Sequence, residues 1–252
     1  EYRRMGESGL TVSVLGYGAN NLGRAGTMSE DAKGAAAVVN AALDAGITYF
    51  DSANVYGKRT GLSEELLGKA LGTRRDEAVI ATKFGMRLKE DVPHSARGSR
   101  RYMLARLEDS LRRLGTDYID LYYYHSPDPL TPLEETVDAL EGAVDAGKIR
   151  YYAVSNMAGW QTAATAELAS RGKLVATQNH YNLIDRRAEQ EILPAARYYG
   201  LGVVPYFPLA AGLLTGKYTD SAPEGGRLKA GDPKLEAVSY THLRAHETLR
   251  YL

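Results

Sequence analysis

The sequence predicts an α/β fold of the (β/α)8, TIM-type barrel class, entered through an N-terminal β-hairpin and incomplete, with its last strand and helices missing. Three observations predict it. Short runs of β-branched and aromatic residues alternate with longer stretches of helical spacing. That alternation repeats seven times without a break in composition. Chemically active side chains stand at the ends of consecutive runs, where a barrel gathers them around one mouth. An open, doubly wound sheet is the competing architecture. At the first strand Leu15-Gly16-Tyr17-Gly18 continues as Ala19-Asn20-Asn21, so the third glycine of a dinucleotide fingerprint is absent.

Taken in order, the hairpin turns about Ser8-Gly9, and strands are expected at 14–18, 47–51, 79–84, 119–125, 149–155, 175–179 and 202–206. Helical patterns occupy 30–45, 63–71, 99–114, 132–146, 158–171 and 186–199. Gly46, Gly115, Gly147 and Gly200 follow four of them, where a left-handed C-cap is wanted. After Lys217-Tyr218 a polar stretch bearing Gly and Pro runs to Lys234 with no further strand, so the eighth strand is expected to lie outside this sequence. The barrel is assigned to residues 1–234. Residues 235–252 form a non-native-looking tail, whose Val238 to Thr248 resembles translated sequencing-adapter read-through.

Composition narrows the function. In 252 residues, 31 Lys and Arg balance 31 Asp and Glu, so no global field holds a nucleic acid or an anionic membrane. A small, near-neutral partner is expected. The absence of cysteine removes disulfides, thiolate zinc, iron–sulfur ligation and thiol nucleophiles. No apolar run approaches the roughly 20 residues that span a bilayer, and a cytoplasmic location is expected. His242 and His246 have the i, i+4 spacing of a metal pair, but two ligands make no site, and no metal is expected.

The expected strand ends carry the chemistry. The second ends in FDSANVYG with Asp51 and Tyr56, the third in ATKFG with Lys83, and the fourth in YYYHSPDP with His125. Each has a plain alternative: a turn cap, a packed ring, a surface charge, a satisfied loop histidine. Together, at consecutive strand ends, they form a set. A phenol has an unperturbed pKa near 10 and can hand a proton to a developing alkoxide. A nearby ammonium stabilises the phenolate, and a neutral imidazole orients and polarises a carbonyl. A carboxylate pairs with the ammonium in a partly dehydrated mouth. Such a set suits carbonyl reduction by hydride.

These stretches resemble the catalytic stretches of the aldo-keto reductase family. The likeness runs from RRMG near the N-terminus, through GSRRYMLARLEDSLRRLGTDYIDLYYYH, to PYFPLAAGLLTGKY at 205–218. It implies Tyr56 as general acid/base, Lys83 and Asp51 as its supporting pair, and His125 as the group that orients substrate. The cofactor it implies is NADP, with NAD as the alternative, because the family's principal adenine and 2′-phosphate contacts fall beyond this sequence.

A nicotinamide needs its carboxamide held by donors and acceptors and one ring face covered. Ser155, Asn156 and Gln178 offer three neutral hydrogen-bonding side chains at one rim, and the resemblance assigns them to the carboxamide. It assigns Tyr206 to the nicotinamide ring. Phe207, Pro208, Leu209, Gly212, Leu214 and Lys217 fall in what resembles the family's pyrophosphate loop. Gly18, Ala19 and Asn20, at the first strand exit, join the cofactor set with Asp51. For the substrate wall the candidates are Asn21, Phe84, Trp160 and the loop from Met86 to Gly98, with Trp160 also readable as a cap on the fifth helix. The expected activity is reduction of a small aldehyde or ketone. The alternatives are a cofactor-binding, redox-sensing subunit of the same fold, and an inactive truncated fragment.

Overall fold

The structure, a computed structural model, describes residues 1–170 and 172–216. It divides into two compact units, Glu1–Asn179 with Glu189–Val204, and His180–Ala188 with Pro205–Leu252.

The first unit opens with β1 (Tyr2–Arg4) and β2 (Thr11–Ser13), an antiparallel pair. Their turn is closed by the Met5 amide on the Leu10 carbonyl at 2.7 Å and by the Ser8 hydroxyl on the Met5 carbonyl at 2.7 Å. A seven-stranded sheet follows in strict sequence order: β3 (Gly16–Gly18), β4 (Tyr49–Asp51), β5 (Val79–Phe84), β6 (Ile119–Tyr124), β7 (Ile149–Ser155), β8 (Leu174–His180) and β9 (Gly202–Tyr206). Neighbours from β3 to β8 pair in parallel. The helices between them are α1 (Ala32–Asp44), α2 (Leu62–Leu71), α3 (Arg100–Leu114), α4 (Leu133–Asp145), α5 (Gly159–Leu168) and α6 (Ile192–Tyr198). Sequential parallel strands joined by helices are the order of a (β/α)8 barrel, seven of whose strands lie among the described residues.

Local chemistry sets the boundaries. Asp31 accepts from the Gly34 amide at 2.8 Å to start α1, and Ser99 accepts from the Tyr102 amide at 3.3 Å to start α3. Gly46, Gly115, Gly147 and Gly200 all take positive φ, between 66° and 81°. The first parallel strand begins at Gly16 rather than 14, because the Val14 amide is spent on the Glu1 carbonyl beside the hairpin. The next begins at Tyr49, since the Ile47 amide closes the end of α1 on the Ala42 carbonyl. The sixth helical pattern is two pieces, a 3-10 turn at Arg187–Glu189 and α6, whose first turn accommodates Pro194. The fifth helix stops at Leu168, where Ala169 turns extended.

Strand alternation divides the apolar side chains between the two faces of the sheet. Phe50, Ile80, Phe84, Tyr122 and Tyr152 belong to a core shared with Val39, Leu67, Met103, Leu107 and Leu140 of the helices. Tyr49, Ala81, Leu121, Tyr123 and Ala153 form a second core, joined by Met5 and Val12 of the hairpin region. The sheet is strongly curled. Gln178 on β8 donates to Asp51 on β4 at 3.2 Å, although four strand spacings would part them by about 19 Å in a flat sheet. No described helix is long and apolar enough to cross a membrane.

Candidate active site

Register explains how residues distant in sequence meet. Asp51 is level with Ala81, Lys83 with Tyr123, and Ser155 with Gln178. Because side chains alternate, Tyr49 and Asp51 share a face, as do Ala81 and Lys83, and Tyr123 and His125. All of these stand on the face away from the helices.

Lys83 has no exposed surface, and its Nζ donates to Asp51 Oδ1 at 2.7 Å and to the Ser52 carbonyl at 2.7 Å. The second carboxylate oxygen of Asp51 accepts from Gln178. A buried ammonium needs such partners, since desolvation alone costs several kcal/mol. The same Nζ lies 5.2 Å from the centroid of the Tyr56 ring and 5.5 Å from that of Tyr123. Tyr56 meets His125 edge to face, with centroids 6.1 Å apart and planes at 85°. The structure therefore brings Asp51, Tyr56, Lys83 and His125 together.

His125 is buried, and burial with the Lys83 ammonium holds its pKa well below the usual imidazole value, so it is neutral at neutral pH. Its Nδ1 is buried with no hydrogen-bond partner among the described residues. Its amide donates to the Phe84 carbonyl at 2.7 Å, and its carbonyl accepts from Asn156 Nδ2 at 2.8 Å. Asn156 adopts φ of 57°, a left-handed conformation that Asn tolerates, and also donates to Ser155 Oγ at 3.1 Å. The carboxamide candidates are thus tied to the four candidate residues by two hydrogen bonds, from Asn156 to the His125 carbonyl and from Gln178 to Asp51.

Two members of this network escape sequence reading. Tyr123 and Tyr49 share a hydroxyl–hydroxyl hydrogen bond of 3.0 Å below Lys83, and burial raises both phenols far above their ordinary pKa. They are neutral supports for the ion pair. The signal lay in the alternation, counted back from His125 to Tyr123 and from Asp51 to Tyr49.

Of the other expected positions, Gly18 stands level with Asp51, and Phe84 falls on the opposite face of the sheet. Phe84 is fully buried on the helix side, stacked between Tyr122 at 5.1 Å and Tyr124 at 5.2 Å. Ala19 is buried in that same core, and its carbonyl accepts from Ser63 at 2.7 Å. Gly18 and Asn20 on either side of it are exposed. Asn21 is half-buried, its carbonyl accepting from Thr27 and Ser29 at 3.0 Å each. Trp160 is 68% exposed at the start of α5.

In the second unit, Tyr206 stacks on His180 with centroids 5.3 Å apart and planes at 7°. The Phe207 carbonyl accepts from Asn182 at 3.1 Å. After Pro208, the amides of Gly212 and Leu214 both turn back onto the Leu209 carbonyl. Phe207, Ala210 and Ala211 take positive φ, a crowded conformation for residues that carry a Cβ. Lys217 lies outside the described residues.

Comparison with known proteins identifies the family. The family model described as Aldo/keto reductase family matches residues 14–249. The chain is 44% identical over 228 residues to the uncharacterized oxidoreductase YrpG of Bacillus subtilis, covering 86% of this chain and 69% of that protein. It is 37% identical over 247 residues to the L-glyceraldehyde 3-phosphate reductase of Escherichia coli O157:H7, covering 95% and 70%. A probable voltage-gated potassium channel subunit beta of Oryza sativa subsp. japonica is 40% identical over 230 residues, covering 86% and 66%. A sheet that curls until side chains of β4 and β8 meet, a buried lysine paired with an aspartate beside a tyrosine, and a match along nearly the whole sequence lead to one conclusion: this chain belongs to the aldo/keto reductase family.

Proposed function

We propose that the protein reduces a small aldehyde or ketone to the alcohol, using NADPH, with NADH as the alternative donor. One observation carries the reading: a fully buried Lys83, paired with Asp51, lies 5.2 Å from the ring centroid of Tyr56 beside a neutral His125. The donor and acceptor set of Ser155, Asn156 and Gln178 suits a carboxamide, two of these residues being in register on adjacent strands. These residues would hold the nicotinamide, and the stretch 206–217 its ring and pyrophosphate. When bound, the nicotinamide supplies hydride.

This chain's own residues do the proton work. Tyr56 gives its hydroxyl proton to the carbonyl oxygen as that oxygen gains charge. Lys83 steadies the phenolate left behind, while Asp51 holds the ammonium in place. His125, uncharged, orients the carbonyl without competing as an acid. The E. coli relatives, named for reduction of an aldehyde phosphate, support the substrate class. The balanced charge of the chain supports a cytoplasmic location and a small-molecule partner.

Tyr56→Phe removes the transferable proton and little volume. Turnover is expected to fall by 100-fold or more, on the order of a lost general acid, with cofactor affinity retained in a fluorescence titration. Undiminished turnover in that variant would refute the assignment. A second reading is favoured by the channel-subunit names among the relatives, namely a cofactor-binding, redox-sensing partner of a membrane channel. Isolation of a stable complex with a channel would decide for it.

A further inference from the structure

We propose that a basic cavity beside Tyr56 takes the anionic end of the substrate, so that the physiological substrates are carbonyl compounds bearing a phosphate group. The inference rests on the reading of Tyr56 as proton donor, and it names the substrate class.

The cavity has a volume of about 190 Å³, room for a phosphate and a few waters at roughly 30 Å³ per water. Its wall comes from two loops that leave the catalytic strands. Val55 and Gly57, the immediate neighbours of Tyr56, line it with Lys58 and Arg59; Arg87 and Lys89, from the loop after β5, line it opposite. Arg87 follows Lys83 by four residues, so both walls are direct extensions of the strand ends that carry the catalytic pair. Each loop opens on a glycine that sterics require. Gly57 has φ of 100° and Gly85 φ of 101°, and a Cβ at Gly85 would fall 2.8 Å from the Tyr124 ring.

Among the described residues, four cations and no carboxylate line the cavity. The nearby acids have other partners. Glu65 holds Arg59 through two bonds of 2.7 and 2.6 Å, and Glu30 lies 3.6 Å from Lys58. Glu90 accepts from Thr60 at 3.1 Å, and Asp91 from the Leu88 amide and the Tyr102 hydroxyl. Arg87 and Lys89 are exposed and enter no ion pair or hydrogen bond among the described residues. Two uncommitted cations opposite the Tyr56 turn form a receptor for a dianion. Guanidinium gives phosphate a fork of donors and ammonium a point charge.

The test uses the full chain, a short hydroxyaldehyde and its phosphate monoester. The wild type is expected to prefer the ester in kcat/KM by about a hundredfold, through KM, about tenfold for each of the two cations. The double variant Arg87→Gln, Lys89→Gln should lose about tenfold of that preference for each charge-assisted contact removed. Its cofactor KM should stay unchanged. Equal kcat/KM for the two substrates in the wild type overturns the proposal. A rise in cofactor KM with the preference intact overturns it too, because the cavity would then serve the dinucleotide's phosphates. Calorimetric titration with the ester separates this inference from the one beneath it. Should neither substrate turn over, ester binding to wild type and to Tyr56→Phe, lost in the double variant, supports the cavity while the hydride reading fails. No ester binding to the wild type overturns the cavity.

Discussion

An imidazole kept neutral by burial and a neighbouring ammonium links the site to acid stability. In the unfolded chain His125 takes up a proton near pH 6.5, whereas the folded group does not until well below. Between those values the unfolded state binds more protons, so stability is complete above about pH 6.5 and declines as pH falls through this window. His125→Gln should flatten that slope. Urea midpoints at pH 7 and pH 5 measure it, and parallel slopes in both proteins would show that His125 is not its source. At this scale the sequence was informative wherever a polar group interrupts an apolar run at a strand end, as Asp51, Lys83 and His125 do. Phe84 was not legible in the same way. Whether it faced the mouth or the helices depended on one step of alternation, and its ring lies with Tyr122 and Tyr124 on the helix side.

Among the elements, two helical glycines should respond in opposite directions to one substitution. Alanine in a helix interior is worth about 1 kcal/mol over glycine. On α4, a Cβ at Gly142 meets nothing within 4 Å, so Gly142→Ala should stabilise by about that amount. On α2, a Cβ at Gly68 would lie 2.2 Å from the Leu114 carbonyl oxygen, which is backbone and cannot swing aside. Gly68→Ala should therefore destabilise, by the roughly 1–3 kcal/mol of overpacking. Denaturant titration of the pair checks both signs, and equal shifts would contradict the close approach of α2 to that carbonyl. Most elements could be read from period and glycine punctuation, because each burial face repeats locally. The exceptions have non-local causes: Val14 bonds to Glu1, and Ile47 serves the end of α1, neither of which periodicity can foresee.

For the molecule as a whole, stability should be graded across the sheet. β6 and β7 are six and seven residues long, paired on both sides, with apolar side chains on both faces, whereas β3 is three residues long. Hydrogen exchange is expected to be slowest in β6 and β7 and fastest in β3, and uniform protection would deny that gradient. The architecture was legible because βα alternation permits few topologies. The curl that closes it was not, since no local pattern announces that β4 and β8 meet. That meeting has a temporal consequence. Asp51 and Gln178 are separated by 127 positions, and at 5–20 residues per second a ribosome needs roughly 6 to 25 s to deliver the second after the first. For most of that interval, once Lys83 has followed, the nascent chain holds its lysine and aspartate without the amide that completes their enclosure. That last bond is therefore a late acquisition of synthesis.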